Sequence, residues 1–260
     1  MTFLSKLKVS AKVIATCSLF AATYLTAAND AVTPSFVAHH IDTAIVIDGE
    51  LDKQWDKATW HNLDQPILGG MPDKSDFNGR FKLLWDKDAL YLVAEFEDDV
   101  LIDKIADPLE FYWDDDTLEV FLDEDASGGE HQFNYNAFAY HVALDNQAVD
   151  IGEKDSSGKT PFLTLNDHIK SRWMRHQNGK VIWEMAISVY DDSFKPNIGK
   201  QPVTLHQGKV LGFMLAYCDN DGSKTREHFI GSTKVEPING DTNLGYRLAD
   251  VFSKLTLIGD

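Results

Sequence analysis

The feature that most narrows the folds open to this chain is a rhythm of short alternating stretches, each bounded by turn residues. Residues 79–85 and 89–97 alternate on either side of Asp86-Lys87-Asp88, and residues 168–176 and 180–187 flank Asn178-Gly179. The second pair carries the strongest hairpin signal in the chain, because Asn-Gly supplies the two positive φ angles of a tight turn. Residues 36–41, 44–47, 130–140, 209–218, 226–230 and 252–258 read as further strands, as does Thr117–Asp123. About a dozen such strands with almost no helix predict an all-β fold, an antiparallel β-sandwich of jelly-roll type. One short N-terminal helix is expected over residues 50–58, with Trp55 on its apolar side, and residues 61–78 read as a loop.

The first 28 residues have a different character. Lys6, Lys8 and Lys12 precede an apolar run that closes on Thr26-Ala27-Ala28, the pattern of a secretory signal peptide. Cleavage after Ala28 would leave a single domain, residues 29–260, in the periplasm or outside the cell. The run is shorter than the about 20 residues of a membrane span, so no membrane insertion is expected after cleavage. Removing a leader with three lysines and no acid takes the net charge from −17 to −20. Such a surface repels phosphate backbones and anionic lipid, which argues against nucleic-acid partners. It attracts divalent cations. Cys218 is the only cysteine beyond the leader, so no internal disulfide forms.

The stretch FYWDDDTLEVFLDED, residues 111–125, concentrates the candidate chemistry. Leu118, Val120 and Leu122 share one strand face; Glu119, Phe121 and Asp123 share the other. A Trp at the lip of a strand and a Glu six residues on offer a ring face and an acceptor to one ligand. A sugar uses both, its C–H groups against the ring and its hydroxyls against the acceptor. The plain alternative is a core Trp before an acidic turn. Trp85 and Trp183 sit inside alternating strands and read as core, whereas Trp113 and Tyr246 lie in polar surroundings near strand ends. Residues 130–140 place Gln132, Asn134 and Asn136 on one strand face. No nucleophile-elbow pattern and no distinguished pair of carboxylates appears, so no catalytic residue is assigned. The histidines lack ligand spacing for zinc. The acidic turns suit calcium, which takes six to eight oxygens, and Asp219 and Asp221 are its candidates.

With these residues in view, the chain resembles a family 9 carbohydrate-binding module. The resemblance is carried by IDGELDKQWDKA at 47–58, LLWDKDALYLVAEFEDD at 83–99, WDDDTLEVFLDED at 113–125, VIWEMAI at 181–187, VLGFMLAYCDND at 210–221 and NLGYRLADVFSKLTL at 243–257. It implies a β-sandwich, calcium ions, and binding of cellulose- or xylan-type chain ends, often beside glycoside hydrolase domains. It also implies two rings sandwiching the sugar, here Trp113 and Tyr246, with Glu119, Gln132 and Asn243 on its hydroxyls. The second ring is usually Trp, so Tyr246 is a departure. The family's Arg after the Glu is missing: none follows before Arg172, and Asn134 or Asn136 is the expected substitute. Two other readings stay open: a haem-binding electron-transfer domain, using Met71 or Met214 with a His, and a glycoside hydrolase in its own right.

Overall fold

The computed structural model describes residues 35–259 apart from residue 197, so the expected leader at 1–28 lies outside the described residues. Hairpins dominate, as the turn residues require. β4 (Phe77–Trp85) pairs with β5 (Leu90–Asp98), and β10 (Ile169–Arg175) pairs with β11 (Val181–Ile187) through the Asn178-Gly179 turn. Gly179 there has φ 87°, which only glycine adopts without strain. β1 (Ser35–His40) and β14 (Ser253–Ile258) join this half to β12 (Val210–Asp219), β6 (Thr117–Asp123), β7 (Phe138–Ala143), β8 (Ala148–Ile151) and β9 (Phe162–Thr164). Three short strands, β2 (His61–Leu63), β3 (Gln65–Leu68) and β13 (His228–Gly231), complete a 14-stranded sheet. Its path runs β10-β11-β5-β4-β1-β14-β12-β6-β7-β8-β9.

The sheet curls so that its two halves face each other. Phe77 of β4 stacks on Tyr217 of β12 with ring centroids 4.5 Å apart, and Phe36 of β1 meets both Phe81 and Phe213 edge-on. The interior takes alternate residues from every central strand: Leu118, Val120 and Leu122; Tyr140 and Val142; Trp183 and Met185; Phe213, Leu215 and Tyr217. Each such aliphatic or aromatic side chain contributes roughly 1.5–3 kcal/mol by leaving water.

Several expectations change. Residues 61–78, read as a loop, carry β2 and β3, and residues 44–47 are not a strand. The pairing is antiparallel except at β1, which runs parallel to both β14 and β4. The helix over residues 50–58 is not seen; a 3-10 turn, Lys53–Lys57, stands there. Isolated helices this short are marginal, and tertiary bonds hold the segment instead. Trp55 donates its indole N–H to Glu184 Oε1 at 2.8 Å, and Lys82 Nζ donates to the Trp55 carbonyl at 2.7 Å. Finally, only residues 138–143 of the expected strand 130–140 and its continuation are extended, and residues 132–137 turn.

β6 is buried along its whole length. Its second face, with Phe121, packs against Ala139, Met214, Ala216, Leu244 and Phe252. This smaller cluster lays residues 235–252 over the outer face of β6, β7 and β12. The cover stops short of Glu119, and a cavity opens there.

Candidate functional site

The floor of the cavity follows from sheet register. Glu119 of β6 lies opposite His141 of β7 and Ala216 of β12. Their ladder sets Glu119 Oε2 3.0 Å from His141 Nε2, with both side chains buried. Burial by itself would depress the imidazole, but the Glu119 carboxylate and Cys218 outweigh it and hold His141 up at about 10. His141 is therefore an imidazolium at neutral pH, with Nδ1 facing the Ala139 carbonyl at 3.3 Å. Arg226 enters from the connection between β12 and β13. Its Nη1 donates to Cys218 Sγ at 3.0 Å and lies 4.0 Å from Glu119 Oε2. One carboxylate thus faces two cations, and its remaining lone pairs are acceptors toward the cavity.

One wall is built by the acidic run, which is neither a solvated turn nor a loose lip. Asp115 Oδ2 accepts from the backbone of Lys104 and Ile105 at 2.8 and 2.6 Å. Asp116 accepts from Ile102 and Asn220 at 2.6 and 2.9 Å, and Asp114 Oδ1 from Arg226 N–H at 3.2 Å. These bonds clamp the chain just after Trp113. Phe111, at φ 47°, turns it just before, with Asp114 N–H donating to the Phe111 carbonyl at 2.9 Å. Tyr112 packs edge-to-face against Trp113, His141 and Phe162 at 4.9, 4.7 and 5.4 Å. Trp113 remains half-buried, with surface left for a ligand.

Another part of the lining is the loop carrying Asn243 and Tyr246. His131, whose imidazole burial holds neutral by pushing it down to about 4, donates Nε2–H to the Gly245 carbonyl at 2.8 Å. Gly245 has no room for a side chain: a Cβ would lie 2.5 Å from Phe121 Cε1. Tyr246, next in the chain, is half-buried against the second cluster. These segments line a cavity of about 380 Å³, together with Gln132, Phe133, Ile151, Thr160 and Phe162. Small-molecule sites span roughly 300–1,000 Å³. Among the described residues, the side-chain amides of Gln132 and Asn243 have no hydrogen-bond partner, leaving both for a ligand.

Trp113, Glu119, Gln132, Asn243 and Tyr246 therefore line one cavity. Asn134 does not. It is exposed, donates to the Glu130 carbonyl at 3.0 Å and accepts from Asn136 N–H at 2.8 Å. The turn at residues 132–137 breaks the alternation that would have set it beside Gln132. Asn136 donates to the Gly128 carbonyl at 2.7 Å and is likewise outside the lining. No arginine stands on the strand after Glu119, but a guanidinium reaches the floor from Arg226. Nothing in local spacing points to it, since only the β12–β6 pairing brings it to the floor. His141 had a weak signal: it continues the alternation of β7 onto the face of Glu119.

Asp219 and Asp221 fall in different clusters. Asp219 joins Asp98 and Asp116, all buried, with ligand atoms within 4.8 Å of one another; Asp221 joins Asp76 and Asp99 nearer the surface. Both oxygens of Asp219 are buried without a partner, as is Asp76 Oδ1. Burial and neighbouring carboxylates push Asp219 up to about 8 and Asp116 up to about 9. In the buried set the oxygens of Asp98 and Asp116 already accept hydrogen bonds from Val100, Tyr217, Ile102 and Asn220, and only Asp219 is unpartnered; three carboxylates gathered about one point suit a hard divalent cation.

Residues 47–260 match the family described as carbohydrate family 9 binding domain-like. An exoglucanase, XynX, of Acetivibrio thermocellus is 26% identical over 193 residues, covering 74% of this chain and 15% of that protein. Endo-1,4-beta-xylanase C of Paenibacillus barcinonensis is 32% identical over 101 residues, 39% of this chain and 8% of the enzyme. The chain thus spans a small part of these curated relatives. Among solved structures, a family 9 carbohydrate binding module from Caldicellulosiruptor kristjanssonii in complex with cellotriose superposes with a TM-score of 0.60. It is 21% identical, with 87% of this chain and 95% of that chain covered. The same fold recurs in a putative carbohydrate-binding protein of Bacteroides uniformis at TM-score 0.58 and 12% identity, covering 86% and 99%. With the profile match spanning most of its length, the chain belongs to the carbohydrate family 9 binding domain-like family.

Proposed function

We propose that this domain binds an oligo- or polysaccharide by holding a sugar between Trp113 and Tyr246. The observation that carries this reading is that two partly exposed rings, one carboxylate and two unpartnered amides line one cavity. Sugar C–H groups pack on the ring faces, while Glu119 accepts and Arg226 donates to hydroxyls. A disaccharide has about two dozen heavy atoms; at about −0.3 kcal/mol each, binding is on the order of ten micromolar. Titrating cello- and xylo-oligosaccharides by calorimetry and Trp fluorescence tests it. Trp113→Ala is expected to abolish measurable binding, and a variant that binds as well as the parent would overturn the sandwich.

The domain binds without cleaving. Among the described residues, Glu119 is the one carboxylate in the cavity lining, whereas glycoside hydrolysis by the common route places two about the scissile bond. Reducing ends that accumulate with highly purified protein would refute this. The leader pattern at 1–28 supports action outside the cytoplasm, in carbohydrate catabolism. The xylanase and exoglucanase names of its relatives favour glycoside hydrolases as companions. Calcium, held by Asp98, Asp116 and Asp219, would tie the end of β5 to β6 and β12 as a structural ion.

A further inference from the structure

Phe162 belongs to two cavities. It lines the pocket beside Tyr112 and Trp113, and it also begins a groove of about 610 Å³ along β9, the last strand of the sheet path. The far bank of that groove is the connection after β11, with Tyr190, Phe194 and Pro196. Tyr190 is rigidly seated, stacked on His168 with ring centroids 4.0 Å apart. Thr164 and Asp167 lie exposed along the near side. On the far bank, Lys195 is tied to Glu153 and Lys200 to Asp191.

We propose that this groove is a second subsite for the same ligand, receiving the residues that follow the sugar held in the pocket. The inference rests on the pocket reading. The occupant is a carbohydrate because the groove continues the pocket across a half-buried ring and mixes aromatic edges with fixed polar groups. A sugar chain presents the matching alternation of C–H faces and hydroxyls. A peptide added to the sheet edge would have only the three residues Phe162–Thr164 to pair with. The protein's preferred ligand is then longer than a disaccharide, with its end in the pocket and its body along β9.

The test is a calorimetric series with cello- and xylo-oligosaccharides of two to five residues. Affinity is expected to rise about tenfold or more from the disaccharide to the tetrasaccharide. Thr164→Trp, which fills the groove from the exposed strand edge, and Asp167→Ala are expected to reduce that gain while leaving disaccharide affinity unchanged. If the parent binds the disaccharide and affinity stays flat with length, the groove is not a subsite and the pocket reading survives. The groove is likewise ruled out if both variants keep the full gain. If no oligosaccharide of any length binds, both readings fall.

Discussion

Glu119 and His141 face each other across the β6–β7 ladder, 3.0 Å apart and buried at the bottom of a pocket open to solvent. The pair turns the floor of the site into a fixed charge arrangement that a ligand finds already made. Preorganisation of this kind limits what binding loses in ordering side chains.

The pair makes stability depend on alkaline pH. His141 is held at about 10 in the fold, against 6.5 when unfolded. Its contribution is fully present below about pH 6.5 and is lost as pH rises through about 10. The amount is on the order of a few kcal/mol. Thermal melts between pH 6 and 10.5 are expected to show a progressive fall in melting temperature for the parent. His141→Gln should be less stable at pH 6 and show a smaller fall; an unchanged fall would remove His141 from this role.

Arg226 is expected to matter for affinity rather than folding alone. Replacing it with Met keeps much of its packing over the Phe229 ring, 4.2 Å away, but removes the cationic donor. A charged hydrogen bond lost to a ligand hydroxyl costs about 1.5–3 kcal/mol, a ten- to hundredfold weaker dissociation constant by calorimetry. Unchanged affinity in a folded Arg226→Met protein would show that the guanidinium serves only Cys218 and Glu119.

Gly245→Ala tests whether the second ring is placed by close packing. The new methyl would meet Phe121 and Met214, within 2.5 and 2.9 Å, and the loop must lift. Overpacking of this kind costs about 1–3 kcal/mol. A lower melting temperature and weaker sugar binding are expected together, since Tyr246 moves with the loop. A stable variant with parental affinity would mean that the loop tolerates the shift.

The Asp219 cluster yields a metal prediction. Calcium at a hundred times its dissociation constant stabilises by about 2.7 kcal/mol, which is several degrees in melting temperature for a domain of this size. Asp219→Asn should keep the metal-free protein folded, since burial already favours a neutral group there, and abolish the calcium-dependent gain. A melting temperature indifferent to both chelator and calcium would remove the ion.

Most of the long strands, and the face each one presents, are written into the chain locally, whereas short ones such as β2 and β3 fall where a loop was expected. Period-two alternation needs no distant partner, so Leu118, Val120 and Leu122 point inward, and Trp183 is buried wherever β11 lies. The Asn178-Gly179 turn is equally local. The site is not. Alternation near Gln132 promised Asn134 a place on the same face, and the turn at residues 132–137 took it away. The acidic run after Trp113 reads as an acidic turn, yet its carboxylates accept from the backbones of distant segments. Arg226 reaches Glu119 because β12 pairs with β6. The physical reason is the same each time. Strand periodicity is decided by neighbours two residues apart, whereas a pocket is made where a curled sheet brings remote segments together. Which remote groups meet depends on the curl and register, and no short stretch of sequence contains them.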